Sequence, residues 1–307
     1  MKSVLKRILG TLPVLIGVGL LIFIMLRIIP GNPVTTLLGE HVDQATIDRL
    51  TEVMGLNKSL PEQFFGYIFN ALQGDLGESY KFKTSVSALI GEAFPTTVKL
   101  SLIAALFAWI IGVVSGIIAA IRQNRLLDRL FMGVSLMGVS MPVFMTALFL
   151  QYFLAFKLKW FDLTYSAASF SSMILPAIAL GWNSAGSIAR MTRSSLIEVM
   201  QADYIDTARA KGLGKSAVIL FHALKNAMLP VVTMMALQLS SMLSGAVITE
   251  SVFGVPGIGR LATTAIQNRD MPLLQGTVLF TTVLVILGNL CADLLYNVLD
   301  PRIREEG

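Results

Sequence analysis

The chain has one cysteine, two histidines and few charges: 14% of its 307 residues are Asp, Glu, Lys or Arg. Each shortage excludes something. Cys291 has no partner, so no internal disulfide forms. His41 and His222 fall on opposite sides of the membrane in the topology below, so they do not share a metal, and no HExxH, GxSxG or Cys/His cluster is present. The low charge, with 54% hydrophobic residues and a mean hydropathy of +0.71, excludes an ordinary soluble domain.

What remains is apolar length. Six stretches can cross a hydrocarbon core of about 30 Å, which needs roughly 20 helical residues. They are Ile8–Leu26, Leu100–Ile121, Leu130–Phe156, Leu163–Ala189, Asn226–Thr249 and Met271–Ala292. The fourth is interrupted by Pro176, Trp182, Asn183 and Ser184, and its apolar part begins near Met173. None alternates polar with apolar residues as a membrane barrel strand does, so the expected class is an all-α integral membrane protein with six transmembrane helices. The first run is too long for a signal core, lacks a small-residue cleavage site and is closed by Arg27, so it is expected to be retained.

Basic residues orient the spans. With both ends inside, the inner segments hold Lys2, Lys6, Arg7, Arg122, Arg125, Arg129, Arg190, Arg193, Arg209, Lys211, Lys215, Lys225, Arg302 and Arg304. The two short outer loops hold only Lys157, Lys159, Arg260 and Arg269. The net charge of +5 is therefore a topology signal and not a nucleic-acid footprint. Three parts follow: a first span over 1–27, an extracytoplasmic segment over 28–99, and a five-helix core over 100–307 that includes an inner loop at 190–225.

In the outer segment, SLPE at Ser59–Glu62 reads as a capping box with proline in the first turn. Leu60, Phe64, Ile68 and Leu72 then mark an amphipathic helix, and a second is expected from Asp43 to Met54 with Ile47, Leu50 and Met54 on one side. This segment caps the outer membrane surface or docks an external partner. Gly112 and Gly116 form a small-xxx-small pair suited to close helix packing.

The inner loop carries DYIDTARAKGLG at 203–214. Asp203 and Asp206 start a possible helix and Arg209 and Lys211 end it, both suiting the helix dipole. Gly212 supplies a left-handed stop, and Ala208 and Ala210 keep part of the surface flat. The physics allows either an interfacial element or a docking helix. GLGKS at 212–216 ends like a phosphate-binding loop, but Arg209 stands where that loop needs glycine and no strand precedes it. The chain itself is not expected to bind ATP.

An ion-coupled carrier or membrane enzyme buries ionisable groups in mid-span. Here Arg27, Lys99, Glu250 and Asp293 stand near span ends, while the interiors offer Gln151, Asn183, Gln238, Asn289 and many methionines. Met141, Gln238 and Ser241 are the expected pathway lining. Such a lining passes polar cargo without an internal energy source.

At DTARAKG the sequence resembles the EAA loop of permease subunits of bacterial ATP-binding-cassette importers, with Asp206 in the Glu position and Gly212 at the expected distance. DYIDTARAKGLG…HALKNAMLPVVT is closer still to the dipeptide/oligopeptide/nickel branch. RIIPGNPV at 27–34, LPEQFFGYIFNALQGDLGESY at 60–80, FPTTVKLSL at 94–102, ESVFGVPGIGRL at 250–261 and DLLYNVLDPRIR at 293–304 agree with that branch along nearly the whole chain, and the long outer segment is similar to its B-type subunit. Asn32 and Val255 depart from the branch, which commonly has aspartate and tryptophan there.

The resemblance implies a type I ABC importer permease fold and an inner (cytoplasmic) membrane location. It implies a second homologous permease subunit, two ATP-binding subunits that carry ATP and Mg, an extracytoplasmic solute-binding protein and surrounding membrane lipid as partners; no cofactor is expected in this chain. Asp203, Tyr204, Asp206, Ala208, Arg209, Ala210, Lys211 and Gly212 would form the coupling helix, with Tyr204 and Arg209 as anchors in an ATP-binding subunit. Glu250, Phe253, Pro256, Gly257 and Arg260 would form an outer gate or contact the binding protein. The expected cargo is a di- or oligopeptide. Nickel, a metal–chelator complex or a glutathione-like solute is the alternative in the same class, and a non-transporting membrane scaffold or receptor the alternative from another.

Overall fold

The computed structural model describes residues 2–28, 44–53 and 55–299. The expected features at 29–34, His41, Asp43, Met54 and 300–304 lie outside them.

Every long element is a helix, since a chain in lipid satisfies its backbone hydrogen bonds locally. In order they are α1 (Lys2–Ile28), α2 (Gln44–Val53), α3 (Leu60–Leu72), α4 (Val86–Ile121), α5 (Leu126–Ser140), α6 (Val143–Leu150) with a π-helical extension (Gln151–Lys157), and α7 (Ile174–Val199). These are followed by α8 (Asp203–Ala210), α9 (Lys215–Leu243), α10 (Val247–Phe253), α11 (Ile258–Gln267) and α12 (Met271–Leu299).

Among the described residues three continuous helices are long and apolar enough to cross a membrane: α4, α9 and α12 over Met271–Ala292. The apolar part of α1 is the shorter Pro13–Met25. The expected third run, Leu130–Phe156, is not one straight helix. Its halves α5 and α6 meet at 109°. The cause is Pro142, which offers no N–H and pushes Met141 into an extended conformation (ψ 130°). The fourth run begins later than its first apolar residue, because α7 starts at Ile174 after a 3₁₀ turn at Phe170–Met173. The fifth also divides. α9 stops at Leu243, Gly245 turns the chain at φ +112°, and Thr249 belongs to α10. Helix α4 begins 14 residues before its expected start, since Glu92 and Lys99 dilute its apolar signal. Its 36 residues span about 54 Å.

The described chain forms two compact units, residues 1–97 with 256–286 and residues 98–255 with 287–307. In the first, Ser59 N–H donates to Glu62 Oε2 (3.0 Å) and opens α3 as the capping pattern predicts. Helix α3 packs on α1 through an edge-on Phe23–Phe64 pair (centroids 5.3 Å apart) and an Arg27–Gln63 hydrogen bond. Phe65, Phe69 and Leu72 stay exposed. A core of Val86, Ile90, Ala93, Ile258, Ala265 and Leu273 joins α4, α11 and α12. Buried Asp270 accepts from Ser79 Oγ (2.5 Å), Lys81 N–H (3.0 Å) and Leu273 N–H (3.3 Å), tying the 79–81 turn to the start of α12.

In the second unit α4, α7 and α9 share Ala108, Ala185, Ile188 and Val231. The approach of α4 to α7 depends on glycine. A Cβ on Gly116 would lie 2.6 Å from Ala189 O, and one on Gly112 would lie 2.7 Å from Ile188 Cγ2 and 2.9 Å from Ala185 O. Ser101 Oγ donates to Met242 O (2.9 Å) and Ser195 Oγ to Ala227 O (2.9 Å), closing the same layer with hydrogen bonds.

Because a backbone oxygen cannot step aside, Gly116→Ala is expected to lower stability by about 1–3 kcal/mol. Gly133→Ala in α5 meets nothing within 4 Å and is expected to be neutral or to gain up to about 1 kcal/mol of helix propensity. Thermal unfolding of the two variants in detergent measures the difference, and equal melting temperatures would refute the close-packing account.

Candidate functional site

The helix predicted in the 190–225 loop exists. Helix α8 starts after extended Ala202 (ψ 144°) and ends at Ala210, with Lys211 capping it and Gly212 at φ +81°. No side chain caps its first turn, but Asp203 and Asp206 lie there and Arg209 lies in the last, as the helix dipole favours. Three positions apart on one side, Ile205 and Ala208 are buried with Leu196, Val218, Ala223 and Ala227, and Ile117 and Ala120 of α4 pack against this cluster. Full burial of Ile205 alone is worth about 1.5–3 kcal/mol.

The remaining candidates face outward: Asp203, Tyr204, Asp206, Arg209, Ala210 and Lys211 are exposed. Ala208 differs from its expected place on the flat surface. It seats α8 on its own chain, and only Ala210 lies on the presented side. Tyr204 is 42% exposed, yet its hydroxyl accepts from Asn226 Nδ2 (2.8 Å) and so ties α8 to α9. Arg209 donates to Asp206 at 2.9 Å, an exposed pair worth little in water and easily redirected to a partner. Gly214, on which GLGKS would have to build a phosphate loop, instead opens α9 by accepting from Val218 N–H (3.0 Å), and a helix, not a strand, precedes it. A cavity of about 280 Å³ beside α8 has Arg209, Lys215, Gln123 and Gln201 in its wall.

Sequence reading missed a brace above this helix. Asp128 of α5 accepts from Arg193 of α7 through both oxygens (Nε–Oδ1 2.6 Å, Nη2–Oδ2 2.8 Å) and also from Asn124 N–H (2.8 Å). The Asp128 side chain is 5% exposed and that of Arg193 26%. The Arg193 guanidinium holds the Asp128 carboxyl below its usual range, and the pairing raises Arg193. The available signal was a lone acid among Arg122, Arg125 and Arg129.

The outer candidates fall into two groups. Glu250 and Phe253 of α10 are fully buried in the second unit, where Glu250 O accepts from Val255 N–H (2.8 Å) and Phe253 O from Tyr165 N–H (2.8 Å). They hold the core and present no surface to a partner. In the first unit Pro256 and Arg260 are exposed, Gly257 is buried, and all three line a cavity of about 380 Å³. Of the expected lining, Met141 stands half-buried at the α5–α6 bend, Ser241 is exposed, and Gln238 keeps its Oε1 buried without a partner. No hydrogen bond links these three.

Known proteins share this arrangement. A chain of the inward-facing MetNI methionine ABC transporter superposes with a TM-score of 0.58 at 16% identity, covering 69% of this chain and 96% of that one. An amino acid ABC transporter crystallised with histidines gives 0.51 at 16%, covering 70% and 94%. The fold is thus that of ABC-importer membrane subunits. Residues 112–305 match the family described as binding-protein-dependent transport system inner membrane component, and residues 1–101 match its N-terminal counterpart. The glutathione transport system permease protein GsiC of Shigella flexneri serotype 5b is 40% identical over 304 residues, covering 99% of each chain. The dipeptide transport system permease protein DppB of Alkalihalophilus pseudofirmus is 40% identical over 329 aligned residues, covering 98% of each. The chain belongs to this family of inner membrane components and is a multi-pass permease subunit of an ABC importer.

Replacing Asp128 by Asn removes one charge-assisted pair and leaves Arg193 half-satisfied. The expected loss is about 1 kcal/mol at neutral pH after solvent screening. A carboxyl whose folded pKa is depressed stabilises above its unfolded pKa of about 3.9 and loses that contribution as pH falls through the folded value. The gap in melting temperature between wild type and Asp128→Asn is therefore expected to be full at pH 6–7 and to close only below about pH 4. A gap independent of pH would remove the ionic account.

Proposed function

We propose that this permease forms half of the translocation pathway of an ATP-driven peptide importer and receives its work through α8. It crosses the membrane six times with both ends inside, α1 and α7 supplying the first and fourth spans and the bent α5–α6 pair the third. The excess of Lys and Arg in the first turns of α1, between α4 and α5, and from 190 to 225 supports that orientation. A second, homologous permease completes the pathway, two ATP-binding subunits supply ATP hydrolysis with Mg, and a solute-binding protein delivers cargo outside. Dipeptide and glutathione, named for the two relatives, are both short peptides, which supports peptide cargo over nickel or a metal chelate.

The observation that carries this reading is the division of α8 into two faces. Ile205 and Ala208 lock it to the inner ends of α4, α7 and α9, while Tyr204, Asp206, Arg209 and Lys211 are presented. A short helix clamped in this way moves as one body, so a displacement imposed on its exposed face reaches the attached spans without being absorbed by the loop. ATP binding then shifts the population between inward- and outward-open arrangements through its differential contact with α8. A passive scaffold would have no use for such stiffness.

Two variants test the proposal in the fully assembled importer. Arg209→Glu reverses a presented charge, and Gly212→Pro replaces the residue at φ +81° with one that cannot adopt it. Each is expected to reduce ATP-driven dipeptide uptake at least about tenfold, a loss of about 1.4 kcal/mol or more in coupling. The amount of protein in the membrane should not change. Normal uptake together with normal cargo-stimulated ATPase in both variants would sink the coupling role of α8.

A further inference from the structure

The coupling machinery does not use the 380 Å³ cavity of the first unit, whose chemistry is divided between its walls. On α4, Glu92 and Thr96 stand four residues apart and share one stripe of the helix; on α11, Arg260 and Thr264 repeat the same spacing. One wall therefore carries an acid and a hydroxyl, and the facing wall a base and a hydroxyl. Leu89 and Leu261 add apolar surface. The backs of both walls are held by the packing of Val86 and Ile90 with Ile258 and Ala265, and Ile258 N–H donates to Thr97 Oγ1 (2.9 Å), which fixes the start of α11 on α4. The two charges are thus presented by braced helices and not by free loops, which lowers the cost of ordering a ligand between them.

We infer that this cavity is a holding site for a short zwitterionic peptide, in which Glu92 receives the α-ammonium and Arg260 the α-carboxylate. The inference rests on the peptide-cargo reading above and gives that cargo a place on this chain. Its size lies in the range of about 300–1,000 Å³ common for small-ligand sites. A guanidinium matches a carboxylate with two parallel N–H donors. Arg260 also takes part in another interaction, but five N–H donors leave capacity for a ligand. Thr96 can bond to the peptide group between the two ends, Thr264, whose hydroxyl donates to Arg260 O (2.9 Å), can accept from its N–H, and Leu89 and Leu261 can cover an apolar side chain. No feature selects one particular side chain, so the recognition is of charged ends at short separation. Both charged walls are open to solvent, which screens them and keeps the hold weak, as a transfer site requires.

The test uses this permease with its partner permease in nanodiscs, without the solute-binding protein. The probe is the dipeptide Ala-Phe, followed by saturation-transfer NMR beside N-acetyl-Ala-Phe and Ala-Phe amide. Wild type is expected to bind Ala-Phe about tenfold better than either blocked form, the usual effect of one charge-assisted bond. Glu92→Gln should erase the penalty for acetylation and leave that for the amide, and Arg260→Gln should do the converse. Either variant alone decides the matter if the other does not assemble. Absence of saturation transfer to wild type, equal signals from blocked and free peptides, or unchanged preferences in both variants would overturn the site. So would a loss of solute-binding-protein capture in these variants with peptide signals intact, since the cavity would then be a protein contact. ATP-driven Ala-Phe uptake by the complete wild-type importer is measured in parallel. Uptake without charge-dependent binding removes only the site, while charge-dependent binding without uptake removes the cargo reading and keeps the site.

Discussion

The contact on which the second unit depends is the approach of two helix backbones, α4 and α7, at Gly112 and Gly116. Apolar side chains gain little by meeting one another in lipid, because the alternative neighbour is equally apolar. Association there relies on dispersion and on hydrogen bonds, and both strengthen as axes draw together. With Ala185 O and Ala189 O, and the Ile188 and Thr192 side chains, seated where Cβ atoms would otherwise stand, α4 and α7 are joined with no side chain supplied by α4 at these two positions. Ser195 then joins α7 to α9 in the same layer. The joined helices form a frame whose parts have little freedom to move independently.

That frame also holds α8 in place. A segment of eight residues is below the length at which an isolated helix is stable in water. It persists because Ile205 and Ala208 enter a core built by its neighbours, and because Tyr204 and Asn226 bond it to α9. Asp128 and Arg193 close the adjoining corner between α5 and α7 with a two-point ionic contact. Stiffness around α8 thus arises from three different interactions: burial, a hydroxyl–amide bond and a bidentate charge pair. Each acts over a few ångströms, and together they connect the presented face to four of the long helices.

The first unit follows another logic. Its polar groups are gathered at helix starts: Glu62 at α3, Thr97 at α11 and Asp270 at α12. Each satisfies a backbone N–H that the helix itself leaves open. Asp270 does so from a fully buried position, where an unsatisfied carboxylate would be costly, and its three donors are the reason it is tolerated. With α4, α11 and α12 fixed by these bonds, Glu92 and Arg260 are held at the surface of one cavity.

The amino-acid sequence by itself determined what depends on nearby residues and on the solvent. Apolar length fixed the membrane class, SLPE the start of α3, and the charge order and Gly212 the extent of α8, since each effect acts within a few positions along the chain. The tertiary structure decided whatever depends on which distant residues meet. It bent the third apolar run at Pro142, divided the fifth at Gly245 and turned Ala208 inward. It buried Glu250 and Phe253, which motif position alone had placed at an outer surface. It also paired Asp128 with Arg193 across 65 positions and set Glu92 in the same cavity as Arg260. No local pattern encodes such meetings, because burial and pairing are properties of the packed helices and not of the segments that supply them.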